Sequence, residues 1–186
     1  MRQQPKRQRS KQGIAAALAF LLFGVLLAAC GNSPKAEVNL QTDELKQLVQ
    51  NLSAGNKKAQ SASISSSGLK LVDDKGKETE YVLPEQEFFV SIAPYLQQTH
   101  RCSIHNLAGC QGELQQQTFT VTVRDSSGKA ILDRESLASQ VNGFIDLWLP
   151  RDDTFHVTVE YNGKQAESDI STFEGDNTCI TTMQLG

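Results

Sequence analysis

Hydrophobic positions along the 186-residue chain change their spacing twice. Residues 14–27 are apolar almost without interruption. Over 42–52, Leu45, Leu48, Val49 and Leu52 recur at helical spacing; Thr42 is a candidate cap, and Asp43 and Glu44 stand in the first turn, where acids favour a helix. That stripe is too short to be stable alone and must pack on something. From 85 onward the spacing becomes two. Phe88, Val90 and Ile92 alternate with Phe89, Ser91 and Ala93; Phe119, Val121 and Val123 alternate with threonines; Phe155, Val157, Val159 and Tyr161 alternate with His156, Thr158 and Glu160.

Turn signals separate these runs. Asp73 to Lys77 joins two short strands at 69–72 and 80–83; Asp125 to Gly128 leads into 130–132; Asn142-Gly143 precedes 144–149; and Asn162-Gly163 predicts a type I′ hairpin into 164–171. The stretch 56–68 is rich in Ser, Ala and Lys and predicts a mobile connection. The expected fold is mainly β, α+β overall: a C-terminal antiparallel β-sandwich of immunoglobulin-like build over 85–186, preceded by a helix-plus-hairpin module over 42–84. In the last strand, 179–185, Cys179, Thr181, Met183 and Leu185 share one face. That puts Cys179 near the rim, Met183 in the core, Trp148 within the sandwich and His156 on a solvated face.

The ends change the picture. Arg2, Lys6, Arg7, Arg9 and Lys11 form a basic leader without acids. The apolar run behind it would span about 21 Å as a helix, short of a hydrocarbon core of roughly 30 Å. With Leu27-Ala28-Ala29-Cys30 following, residues 1–29 read as an export signal ending in a lipobox, Cys30 as the acylated mature N-terminus, and 30–41 as a polar tether. Removing the leader leaves 13 of the 18 basic residues against 21 acidic ones, a net charge of −8. Such a surface repels phosphate backbones and anionic lipid, which argues against nucleic acid as a partner and leaves the acyl chains as the membrane attachment.

Chemistry concentrates at 99–113, T-H-R-C-S-I-H-N-L-A-G-C-Q-G-E. His100, Cys102, His105 and Cys110 fall within eleven positions, and Cys179 follows 69 residues after Cys110. With Cys30 assigned to lipid, three thiols remain, an odd number for an oxidising compartment, so at least one lies outside any intramolecular disulfide. Thiolates with imidazoles suit a thiophilic ion, Cu(I) first and Zn(II) second. The bland alternative is a Cys102–Cys110 disulfide pinning the loop, worth about 2.5 kcal/mol in the chain-entropy model. The two can coexist if the pair opens and closes while passing electrons to Cu(II), with Cys179 as resolving or metal-holding thiol. His105, between the cysteines, is the stronger imidazole candidate and His100 the weaker. No phosphate loop or nucleophile–base set suggests an enzyme; thiol-driven Cu(II) reduction is the one reaction in view.

The blocks F-F-V-S-I-A-P-Y (88–95), T-H-R-C-S-I-H-N-L-A-G-C-Q-G-E-L (99–114), N-G-F-I-D-L-W-L-P-R-D (142–152) and T-C-I-T-T-M-Q-L (178–185) together resemble the CueP family of exported copper-binding proteins. The resemblance implies a periplasmic or surface protein of copper resistance that carries copper, can reduce Cu(II), and passes metal to an extracytoplasmic cuproenzyme such as copper–zinc superoxide dismutase. It maps the family's paired cysteines onto Cys102 and Cys110, its late cysteine onto Cys179 and its intervening histidine onto His105, and it implies a homodimer formed through the N-terminal region. The lipobox is a departure, since family members are often soluble in the periplasm.

Overall fold

A computed structural model of the chain describes residues 37–186. The basic leader, the apolar run and Cys30 with its lipobox lie outside the described residues. The elements in order are β1 (Glu37–Val38), α1 (Thr42–Ser53), β2 (Ser61–Ile64), β3 (Gly68–Val72), β4 (Glu78–Val82), β5 (Glu87–Ile92), β6 (His105–Asn106), β7 (Thr118–Arg124), β8 (Ala130–Ala138), β9 (Ile145–Pro150), β10 (Thr154–Tyr161), β11 (Lys164–Ser171) and β12 (Cys179–Ile180). The chain is mainly β, with one helix among the described residues.

Three sheets stack around β5 and β9. The four-stranded sheet β11-β10-β7-β8 is antiparallel throughout and packs against the three-stranded sheet β12-β5-β9. Between them lies the sandwich core, where Phe88, Val90, Ile92, Ile145, Leu147 and Leu149 meet Phe119, Val121, Val123, Phe155, Val157 and Val159. These are the alternate positions that the period of two selects. Burying each phenylalanine contributes on the order of 2–3 kcal/mol relative to leaving it exposed.

The other face of β5 and β9 is covered as well. Phe89 and Trp148 pack edge to face, ring centroids 5.2 Å apart, in a second core with Leu45, Val49 and Leu52 of α1 and Ala62, Ile64, Leu69 and Leu71 of β2 and β3. Trp148 therefore points away from the sandwich core, toward the helix. Its ring also carries the Lys46 ammonium 5.4 Å from the centroid, and Lys46 is in turn paired with Glu87 at 2.6 Å. The five-stranded sheet β1-β4-β3-β2-β6 forms the remaining layer, so that β5 is buried on both faces. The described residues, 37–186, fall in one compact unit.

Several local expectations are corrected. Thr42 is the first helical residue, not the cap: Gln41 holds that position, its backbone N–H donating to Glu44 Oε2 at 3.3 Å. Part of the expected tether is a strand, because Glu37 and Val38 pair in parallel with Glu80 and Tyr81. The stretch expected to be a mobile connection contains β2, flanked by β3 and β6 in its sheet, with Ala62 and Ile64 fully buried. The strand expected over 130–132 runs to Ala138. The hairpin at Asn162-Gly163 forms as expected, both residues at positive φ and Tyr161 paired with Lys164. His156 is exposed as expected, 2.8 Å from Asp169.

Candidate metal centre

The last strand defines the site. β12 joins the three-stranded sheet in parallel, Cys179 beside Ser91 and Ile180 beside Ile92, with Ser91 N–H donating to Thr178 O at 2.9 Å and Ala93 N–H to Ile180 O at 2.8 Å. Beyond it the alternation persists, Cys179, Thr181, Met183 and Leu185 being buried and Thr182 and Gln184 exposed. Met183 fills the sandwich core. Cys179 is only 2 % exposed, so the expectation of a rim position is corrected. The strand enters between two sheets, and Cys179 packs with Ala93 and Phe144 where they meet.

The ligand-rich loop is fastened to this strand and to β2. Ser103 O accepts from the backbone N–H groups of Thr178 and Cys179 at 3.0 and 3.2 Å. Thr178 Oγ1 accepts from His105 N–H at 3.0 Å and donates to Ile64 O at 2.6 Å. His105 pairs with Ile64 and Asn106 with Ser63, a two-residue strand inside a segment that carries no strand signal. Asn106 then starts the turn that delivers Cys110: its carbonyl accepts from Gly109 and Cys110 N–H, its side-chain oxygen from Ala62 and Ala108 N–H, and its own N–H points at Cys110 Sγ from 3.4 Å.

Two glycines let the far end of the loop close. Gly112 N–H donates to Asn142 O at 2.7 Å, and Gly143, at φ +81°, is so near that a Cβ there would come 2.6 Å from Gly112 O. At the neck, Glu113 Oε2 accepts from the N–H groups of Leu96, Gln97 and Gln98 at 2.7, 3.0 and 3.3 Å. These bonds hold the Glu113 carboxyl below the usual carboxylate range.

The outcome is one four-residue cluster. The sulfurs of Cys102, Cys110 and Cys179 and a ring nitrogen of His105 all lie within 4.8 Å of one another. Ligand atoms sharing one ion at about 2.3 Å stand roughly 4 Å apart, so the donor set fits a thiophilic metal. The disulfide differs from the Cys102–Cys110 pair weighed as the alternative to a metal site: Cys102 is bonded to Cys179 across 77 residues, and Cys110 is a free thiol with its sulfur 3.6 Å from Cys102 Sγ. The reason is the Ser103–Cys179 backbone contact, which brings the Cys102 and Cys179 Cα atoms to 5.5 Å, while the Asn106 turn holds Cys110 to the side.

His105 is fully buried, its ring 4.3 Å from that of Phe144, with Nδ1 3.5 Å from Cys179 Sγ and Nε2 without a hydrogen-bond partner among the described residues. Burial, reinforced by nearby His100, pushes its pKa down to about 3, so the ring is neutral and able to ligate at physiological pH. His100 is not brought into the cluster. It is exposed, with its ring 6.3 Å from Phe144. Sequence reasoning passed over Thr178 and Asn106, which position the cluster; their only signal was adjacency to Cys179 and His105.

Comparison with known proteins agrees with this geometry. Residues 43–184 match the family described as periplasmic copper-binding protein CueP. Among solved structures, a crystal structure of S.CueP is 39 % identical, with a TM-score of 0.70, and the match covers 76 % of this chain and 89 % of that one. No curated protein matches. No helix among the described residues is long and apolar enough to cross a membrane. With the family match spanning most of the chain and the sulfur–imidazole cluster inside it, this protein belongs to the CueP family of periplasmic, and so extracytoplasmic, copper-binding proteins.

Proposed function

We propose that the protein holds Cu(I) through Cys102, Cys110 and Cys179 with His105 as the imidazole ligand, in the service of copper resistance and trafficking. The observation that carries this reading is the convergence of three sulfurs and a neutral, buried imidazole within 4.8 Å. Soft thiolates favour Cu(I) over Zn(II), and a site buried around Cys179 and His105 shields the ion from water. His100, exposed beside Cys102, would serve at most as an outer ligand during entry or exit. The basic leader, apolar run and lipobox support attachment through acylated Cys30, so that copper is taken up and handed to a cuproenzyme at a membrane surface. Self-association is part of the same family-based reading. Titration of the reduced mature domain with Cu(I) against a chromogenic chelator tests the ligand set. Tight binding is expected in the native chain and loss of it in a triple Cys→Ser variant, and unchanged affinity in that variant would overturn the proposal.

A second reading, thiol-driven reduction of Cu(II), is favoured by the Cys102–Cys179 bond lying inside the cluster. Closing that bond removes two protons and two electrons from the thiols, and two Cu(II) ions accept the electrons as two Cu(I). Cu(I) should then appear in step with thiol loss. Binding of Cu(II) with all three thiols intact would rule this reading out.

A further inference from the structure

The two sulfurs of the Cys102–Cys179 bond are not equally accessible. Cys179 is 2 % exposed, enclosed by Ala93, Phe144 and the loop. Cys102 is half-buried and lines a surface groove of about 530 Å³ together with Tyr95, His100, Arg101, Thr181 and Thr182. Arg101 is exposed, and no carboxylate is paired with it among the described residues. On a chain whose exported part is strongly acidic, an unpaired guanidinium beside the one reachable sulfur of a disulfide is a specific feature. A guanidinium grips a carboxylate through two parallel hydrogen bonds. A groove of this size is in the range that accommodates a small molecule.

We propose that this groove binds a low-molecular-weight thiol bearing carboxylates, which reduces the disulfide by attack at Cys102 alone. The incoming thiolate forms a bond to Cys102 Sγ and breaks the Cys102–Cys179 bond. Cys179 leaves as a thiolate beside His105, 3.5 Å from its ring nitrogen. A second molecule of the small thiol then attacks the mixed disulfide, leaving as a symmetrical small-molecule disulfide and freeing the Cys102 thiolate. Two small thiols are oxidised, one protein disulfide is reduced, and the proton balance is kept by solvent. The idea rests on the copper reading only in that the reduced cysteines are the metal-holding form.

The test compares reduction of the oxidised protein by glutathione, a tripeptide thiol with two carboxylates, by neutral 2-mercaptoethanol and by cationic cysteamine, with rates corrected for thiol pKa. The glutathione rate is expected to saturate with concentration and to exceed the others about tenfold at low salt. Arg101→Gln, an exposed substitution without packing cost, should lower the glutathione rate by a similar factor and leave the 2-mercaptoethanol rate unchanged. In a Cys110→Ser variant, which removes the competing thiol 3.6 Å from Cys102 Sγ, peptide mapping should find glutathione on Cys102. Equal corrected rates for the three thiols, an Arg101→Gln variant as fast as the native chain, or a mixed disulfide on Cys179 would each overturn the proposal. Cu(I) binding by phosphine-reduced Arg101→Gln protein should remain native. Loss of Cu(I) binding in the phosphine-reduced native chain would instead defeat the copper reading and leave the thiol groove standing.

Discussion

His105 Nδ1 lies 3.5 Å from Cys179 Sγ across 74 residues of sequence, and both groups are buried. The contact depends on the two shortest strands beside the site, β6 and β12, and on the Thr178 hydroxyl between them. The convergence of the sulfur–imidazole cluster is therefore a consequence of long-range strand placement.

Thr178→Val should leave His105 N–H and Ile64 O without their shared partner in a buried position. A loss of about 1–3 kcal/mol is expected. Denaturant unfolding measures it, and the variant should also bind Cu(I) more weakly, because the same hydroxyl fixes the backbone between His105 and Cys179.

Gly143→Ala should cost about 2–3 kcal/mol, since it combines a positive φ with a backbone collision against Gly112. Gly128→Ala provides the contrast. Its φ is +85° but its surroundings are open, so about 1 kcal/mol is expected. Thermal unfolding of the two variants side by side separates loop closure from turn geometry.

The pH dependence follows from His105. Its folded pKa of about 3 lies below the ordinary histidine value, so the unfolded chain binds the extra proton between roughly pH 6.5 and 3. Stability contributed by the neutral ring is full above that window and falls as pH drops through it, by at most about 1.4 kcal/mol per pH unit. A His105→Gln variant of the metal-free protein should show a flatter stability curve there. Asp146 has the opposite sign: burial pushes its carboxyl up, with the Ser53 and Ser91 hydroxyls pulling back. Its folded state holds the proton longer, so it destabilises the fold as pH rises above the ordinary carboxylate value. Asp146→Asn should accordingly stabilise the protein at neutral pH, and the gain should vanish in acid.

Reducing the Cys102–Cys179 bond, which spans 77 residues, should remove up to about 4 kcal/mol in the chain-entropy model. Calorimetry should find a lower Tm for the reduced metal-free protein than for the oxidised one. One equivalent of Cu(I) should restore much of the difference, because the ion binds only the folded arrangement.

The sandwich was legible because Phe119 and Phe155 lie in strands of strict alternation, with one face for the core, while Phe88 lies in an apolar strand covered on both faces. Of the five residues that the sequence offers as a soft-donor set, Cys102, His105, Cys110 and Cys179 converge. β2 escaped because Ser61-Ala62-Ser63-Ile64 buries only two modest side chains, too little apolar signal to separate a strand from a linker. The disulfide partner escaped for another reason. Sequence spacing favours the short Cys102–Cys110 closure, whereas the pairing is decided by the parallel entry of β12 beside β5, which no local pattern encodes. His100 has a ligand's spacing to Cys102, yet it is exposed outside the cluster.

X-ray absorption at the copper edge on the reduced protein loaded with one equivalent of Cu(I) tests the central claim most directly. A first shell dominated by sulfur with a histidine nitrogen contribution that disappears in His105→Gln is the result expected. A shell of nitrogen and oxygen alone, or a sulfur shell unchanged when Cys179 is replaced by Ser, would contradict it.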